Sequence, residues 1–220
     1  MRSIERRHWL AAGLLGPLVA ALAPGPSEAT ATDKAAGRFA PPLSGREIIR
    51  DRYFPNVPLV THTGRRVRLY DDLIKDKIVV LNFMYADCDG VCPTITMNLV
   101  KAQALLRKRT SAHVAFYSIT LKPEEDTPAK LKDYAEMHGA AGNSLFLTGA
   151  PDDIERLRRR MGFADLNPSV DRDTSRHSGM IRYGNEPASV WGACQGSAKP
   201  EWIAEEIGFV LPGLHHAGAV

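Results

Sequence analysis

Two cysteines with three residues between them are the first chemistry this sequence offers. They stand in Ala86-Asp87-Cys88-Asp89-Gly90-Val91-Cys92-Pro93. Before them runs a nearly continuous apolar stretch, Lys77 to Tyr85; after them, helical periodicity opens at Pro93. Free backbone N–H groups and the positive end of a helix dipole favour thiolate over thiol at such a place. Thiolate is the nucleophile of disulfide exchange and a soft ligand for Cu(I). A two-residue spacing is the usual redox arrangement. A third residue widens the loop and gives two sulfurs room around one metal ion, and Gly90 is expected to let the loop fold back so that both face one point. A structural disulfide is the plainer reading, although a loop this short adds little stability when closed. Two sulfurs leave a metal site open, and His177, in Ser175-Arg176-His177-Ser178-Gly179-Met180-Ile181, is the best third ligand. By spacing alone it reads as a surface histidine. Two cysteines and a histidine also suit Zn(II) with a water; an exposed, exchangeable site favours copper.

The elements that must hold these residues follow from pattern. Residues 77–85 are expected to form a central strand buried on both faces. Pro93 suits the first helical position, with Met97, Leu99, Val100, Ala104 and Leu105 following at helical spacing. A second central strand spans 113–120, helices 127–137 and 151–161 enclose a short strand 144–147, and 199–209 closes the domain as a helix. Residues 177–183 and 188–191 are expected to pair antiparallel around Gly184-Asn185. Residues 56–61 and 66–70 flank Gly64 as an N-terminal β-hairpin. The order is that of a thioredoxin-like α/β domain, a central mixed β-sheet flanked by helices. Among the remaining chemistry-bearing residues, Cys194 is expected to be buried as a small apolar group. Asp87 and Asp89 either orient ligands or solvate the loop. His215 and His216 are assigned to a solvated tail, and Arg156, Arg158, Arg159 and Arg160 to a solvated helix face.

The chain has 220 residues, 28 Lys+Arg against 25 Asp+Glu, and 44% hydrophobic residues. These values exclude general disorder, and a net charge of +3 without a basic stripe argues against nucleic acid as a partner. Three cysteines are too few for a disulfide scaffold. Residues 1–29 read as a twin-arginine-type export signal: Arg6-Arg7 precede an apolar run from Trp9 to Ala23, and Ser27-Glu28-Ala29 offers a cleavage site. The apolar run falls short of the about 20 residues of a bilayer span. The expected destination is therefore periplasmic or exported, with membrane tethering if the signal stays uncleaved. Residues 30–49 are assigned to a linker, 50–212 to the domain and 213–220 to a tail.

Taken together, Cys88-Asp89-Gly90-Val91-Cys92-Pro93 after a strand, Tyr117-Ser118-Ile119-Thr120, the stretch Pro123-Glu124-Glu125-Asp126-Thr127-Pro128, and His177 followed by Arg182-Tyr183-Gly184-Asn185 resemble the Sco (SenC) family. The likeness covers roughly residues 50–210. It implies a thioredoxin-like fold outside the cytoplasm and one bound copper, with the family's two copper cysteines at Cys88 and Cys92 and its distant copper histidine at His177. It implies a metallochaperone that helps build the binuclear copper centre of cytochrome c oxidase. The implied partners are the oxidase subunit carrying that centre and a periplasmic copper donor or thiol reductant. Two departures stand out: Asp89-Gly90 replaces the Pro-Asp of many relatives, and Lys122 occupies a position where Asp is common. The competing reading is a thiol–disulfide oxidoreductase that cycles a Cys88–Cys92 disulfide and has no need of His177. A peroxide-handling enzyme ranks lowest, because both cysteines lie in one short loop. No catalytic residue is assigned.

Overall fold

A strand buried along its whole length has to be covered on both faces, and β3, Ile78–Met84, is buried at every position from Val79 onward. Val79, Leu81 and Phe83 enter one apolar cluster, with Phe54, Leu69, Tyr117 and Leu157. Val80 enters a second, with Leu99, Phe116, Ile181 and Ile203, and Met84 a third, with Cys88, Cys92, Tyr134 and Phe146. The computed structural model describes residues 43–140, 142, 144–171 and 179–213, all in the unit Pro42–Val220. The export signal, His177, and the tail residues His215 and His216 lie outside the described residues.

The seven strands are β1 (Pro58–Thr61), β2 (Arg66–Arg68), β3, β4 (Val114–Thr120), β5 (Ser144–Gly149), β6 (Met180–Asn185) and β7 (Val190–Gln195). They form one mixed sheet in the order β2-β1-β5-β4-β3-β6-β7. β3, β4 and β5 run parallel, with Leu81 opposite Tyr117 and Tyr117 opposite Leu145. The remaining pairings are antiparallel. Helices α1 (Gly45–Tyr53) and α4 (Pro151–Arg160) lie over the face carrying Val79, Leu81 and Phe83. Helices α2 (Val91–Arg109), α3 (Pro128–Met137) and α6 (Pro200–Gly208) cover the other, and a short helix α5 (Pro168–Asp171) precedes β6. This is the helix-flanked mixed sheet of a thioredoxin-like domain. Among the described residues no helix is long and apolar enough to cross a membrane.

Several boundaries differ from expectation for identifiable reasons. α1 begins inside the stretch assigned to a linker. Its start is a capping box in which the Ser44 hydroxyl accepts from the Glu47 N–H and the Glu47 carboxylate accepts from the Ser44 N–H. β1 and β2 pair with Leu59 opposite Val67, and Gly64 takes φ +82° in the turn between them. The chain then leaves the sheet at Leu69, where a π-helical turn, Leu69–Ile74, buries Leu69, Tyr70, Leu73 and Ile74. The final hairpin reverses at residues 186–189 and not at Gly184-Asn185. Gly184 lies within β6 because a Cβ there would come within 2.2 Å of the Trp191 ring on the neighbouring strand. The arginines of α4 are not uniformly solvated. Arg158 is 13% exposed and grips Asp171 with two nitrogens at 2.5 and 2.6 Å, so α4 and α5 are tied together by a nearly buried bidentate pair.

Candidate metal centre

The cysteine loop sits at the C-terminal end of β3, where the chain turns into α2. That helix starts two residues earlier than expected. Gly90 is its N-cap and Cys92 lies in its first turn. No side chain caps it, and its first turn holds no acidic residue. The orphan amides of a helix start still need acceptors. Here the Cys88 sulfur serves: the backbone N–H groups of Gly90 and Cys92 donate to it, as do the Cys92 thiol and the Tyr85 hydroxyl. Gly90 has φ −99°, outside the left-handed region, and a Cβ there would meet Cys88 Sγ at an ordinary 3.9 Å. The fold-back of the loop therefore rests on hydrogen bonds to sulfur, not on a left-handed glycine.

The two sulfurs occupy unequal environments. Burial alone would raise the Cys88 thiol, but the hydrogen bonds just named outweigh it, and its pKa falls below the ordinary range. Cys92 is raised well above that range, first by burial and then by the hydrogen bond in which it serves Cys88. Hydrogen bonding therefore favours the thiolate at Cys88, while burial favours the protonated thiol at Cys92. Neither is exposed, contrary to expectation: Cys88 is 7% and Cys92 1% accessible. The reason is the apolar cluster around them, built from Met84 and Tyr85 below the loop and Leu131, Tyr134 and Ala135 of α3.

Four residues to which the motifs assigned no role hold the loop. Asp126, 1% exposed, accepts from the Ala86 N–H at 3.0 Å and from the Thr120 hydroxyl at 2.5 Å. It thereby ties the segment before Cys88 to the end of β4. Lys130 lies 3.4 Å from the other Asp126 oxygen and 2.7 Å from Asp87. Asp87 is thus held by an ion pair, while Asp89 has none among the described residues. The Tyr134 hydroxyl shares a 3.1 Å hydrogen bond with Thr96 of α2. Tyr85 lies under the Lys122 ammonium, which stands 4.7 Å from its ring centroid. The Lys122 that departs from the common Asp therefore puts positive charge beside the aromatic wall of the loop. An acid six residues beyond a strand's end and two before a helix-starting proline was the legible signal for Asp126. Nothing in the sequence marked Tyr85 or Tyr134.

Cys194 is buried on β7 against α6, as expected, and desolvation pushes its thiol up to about 12. It belongs to a different apolar cluster from Cys88 and Cys92. Among the described residues no group of three His, Cys, Asp or Glu side chains is arranged to hold a metal ion. Two sulfurs on one short loop are what the described residues contribute.

The wider comparison follows the same residues. A protein from Stutzerimonas stutzeri described as copper-binding is 24% identical over 164 residues, 74% of this chain and 78% of its own length. The structure of Bradyrhizobium japonicum ScoI with copper bound superposes with a TM-score of 0.55 at 24% identity, covering 70% of this chain and 96% of that one. BsSco, a member of the Sco family of cytochrome c oxidase assembly proteins with a disulfide switch, gives a TM-score of 0.59 at 21% identity over 72% of this chain and 93% of its own. These structural likenesses establish the fold. The SCO1/SenC family model matches residues 50–211, which takes in every described strand and helix from the hairpin onward together with the cysteine loop, and the chain belongs to that family.

Proposed function

We propose that this protein is a copper metallochaperone, exported from the cytoplasm, that carries one copper ion on Cys88, Cys92 and His177 and passes it to the cytochrome c oxidase subunit with the binuclear copper site. The observation that carries the reading is the local chemistry of the loop. Two sulfurs converge at the start of α2, one already favoured as thiolate by four hydrogen bonds, in an apolar shell of Tyr85, Leu131 and Tyr134. Soft thiolates select Cu(I), and an apolar surround excludes water and harder ligands. Metal loading must release the Cys92 proton and free Cys88 from its donors, so affinity rises with pH as thiol protons are shed. Two sulfurs leave room for a third ligand, and in transfer an acceptor's ligands replace this protein's one at a time. The copper-bound ScoI relative and the copper-binding description of the Stutzerimonas protein support the choice of metal. The twin arginines of the first 29 residues support export.

A second reading draws on the inequality of the two sulfurs. The more acidic Cys88 has the character of an attacking thiolate, and the buried, protonated Cys92 that of a resolving thiol. Cys88 would displace one sulfur of a partner disulfide, and Cys92 would then release the partner as a dithiol. The partner gains two electrons and two protons, and a Cys88–Cys92 disulfide is left here. In that state neither sulfur is available for copper, so the two readings share a gate.

Anaerobic Cu(I) titration of the reduced protein with parallel thiol counting separates them. The expected result is one copper per chain, lost in Cys88→Ser, Cys92→Ser and His177→Ala. Undiminished tight binding in the double cysteine variant overturns the copper assignment. Full disulfide-exchange activity in His177→Ala, with no stoichiometric copper in the unaltered protein, decides for the oxidoreductase.

A further inference from the structure

Among the described residues, Arg182 is a guanidinium without an acid. It projects from β6 on the face covered by α1 and α4, the opposite face from the cysteine loop, and two features fix its course. Gly162, at φ +72°, has no side chain to obstruct it: a Cβ there would stand 2.5 Å from an Arg182 terminal nitrogen. The Phe163 ring lies beneath it with 5.6 Å from the guanidinium carbon to the ring centroid. The Nε is buried and has no hydrogen-bond partner among the described residues. No carboxylate of the described residues forms an ion pair with it, whereas Arg46 of α1 and Arg158 of α4 both have carboxylates at 2.5 Å. Burial lowers the pKa of Arg182, the direction expected of a cation left uncompensated. A buried guanidinium nitrogen lacking a partner is costly, and such groups in native proteins usually have a use.

The space beside it suggests the use. A cavity of about 400 Å³ is lined by Arg182 together with Ile49, Tyr53 and Phe54 of α1, Met161 after α4, and Trp191 of β7. Ser189 and Gly192 complete a lining that is otherwise aromatic or aliphatic, and the one charged lining residue, Arg182, is positive. Its size suits a small organic ligand. Phe54 and Trp191 pack ring to ring at 4.4 Å, so this wall is ordered rather than a gap between loose side chains. Arginine's planar fork matches a carboxylate with two parallel hydrogen bonds.

We propose that this cavity binds a small monocarboxylate with an aromatic or aliphatic body, its carboxylate on Arg182 and its body between Tyr53, Met161 and Trp191. The site is independent of the metal assignment, because none of its residues belongs to the apolar cluster around the cysteine loop.

The test is calorimetric titration of the full reduced chain with 3-phenylpropionate, with 3-phenylpropanol as the neutral analogue. The expected result is saturable binding of one acid per chain, weakened at least roughly tenfold for the alcohol and for the acid with Arg182→Gln. Ile49→Trp, which fills the cavity from α1 and leaves the guanidinium in place, is expected to abolish binding. It keeps the test decisive should Arg182→Gln fail to fold. Absence of saturable binding to the unaltered chain overturns the proposal. So does equal binding of acid and alcohol, or full affinity in folded Arg182→Gln or Ile49→Trp. Copper stoichiometry measured on the same Ile49→Trp sample is expected to be unchanged.

Discussion

At the scale of single residues, the chemistry of the loop depends on where hydrogen bonds end. Gly90 at the N-cap of α2 has no side chain to offer where Asp, Ser or Thr is usual, and the sulfur of Cys88, two residues before it, takes over the accepting role. The consequence is a thiol more acidic than its burial would give. Asp126 does the complementary work from beneath, accepting from both Ala86 and Thr120 in a place almost closed to water. Replacing it with alanine strands a backbone N–H and a hydroxyl and leaves Lys130 facing Asp87 alone. Leaving one buried polar group unpaired costs about 1–3 kcal/mol. Asp126→Ala is therefore expected to lower the unfolding free energy by an amount of that order and to weaken copper binding with both cysteines intact. Urea denaturation and Cu(I) titration of one preparation check this; unchanged stability would show that Asp126 does not hold the loop.

At the scale of elements, the molecule is fastened by buried acids that each join several segments. Glu186, 3% exposed in the β6–β7 turn, accepts from Arg46 of α1 at 2.5 and 2.6 Å, from the Tyr70 hydroxyl at 2.6 Å and from the Asp76 N–H at 2.7 Å. Burial alone would raise this carboxyl, yet its donors prevail and its pKa is lowered. A carboxyl held below its unfolded value contributes stability that is complete above the unfolded pKa and is lost as pH falls through the folded one. Unfolding free energy is thus expected to decline with acidification starting near pH 4–5, the ordinary range for a glutamate. Glu186→Gln should be less stable at pH 7 and show a shallower decline below pH 5. Denaturant midpoints between pH 3 and 7 test it, and identical slopes in the two proteins would count against the role. The Arg158–Asp171 pair fastens α4 to α5 in the same manner, and Asp171 is lowered to about 2 chiefly by that hydrogen-bonded arginine.

At the scale of the whole molecule, one sheet separates two chemistries. The cysteine loop lies on the face of α2 and α3, and the Arg182 cavity on the face of α1 and α4. A mixed sheet covered on both sides lets each be altered without rebuilding the other, because strand residues of alternate parity never share a face. Under the proposed export signal, the first residues decide where the protein works. Arg6→Lys with Arg7→Lys is expected to retain the chain in the cytoplasm, where thiols are kept reduced. Fractionation of expressing cells reads the result, and unchanged export would refute a twin-arginine signal.

The local signals in the chain were strong enough to specify most elements. The unbroken apolar run of residues 77–85, Pro128 after Thr127 and Pro151 at a helix start each encode their structure within a few residues, and the Cys88–Cys92 spacing marks the site for the same reason. The Ser44-x-x-Glu47 box was equally local, but the Ala- and Pro-rich composition around it obscured it. Tertiary contacts decided the rest. Gly184 reads as a turn until a tryptophan on the next strand needs its missing Cβ. Arg158 reads as solvated until Asp171 is folded against it. The cysteines read as exposed until α3 closes over them. That the Arg182 Nε has no partner among the described residues is visible only once α1, α4 and β7 surround it. Burial and pairing are sums over neighbours far apart in the chain, so short-range pattern fixes the elements while packing alone assigns charge, exposure and reactivity to their side chains.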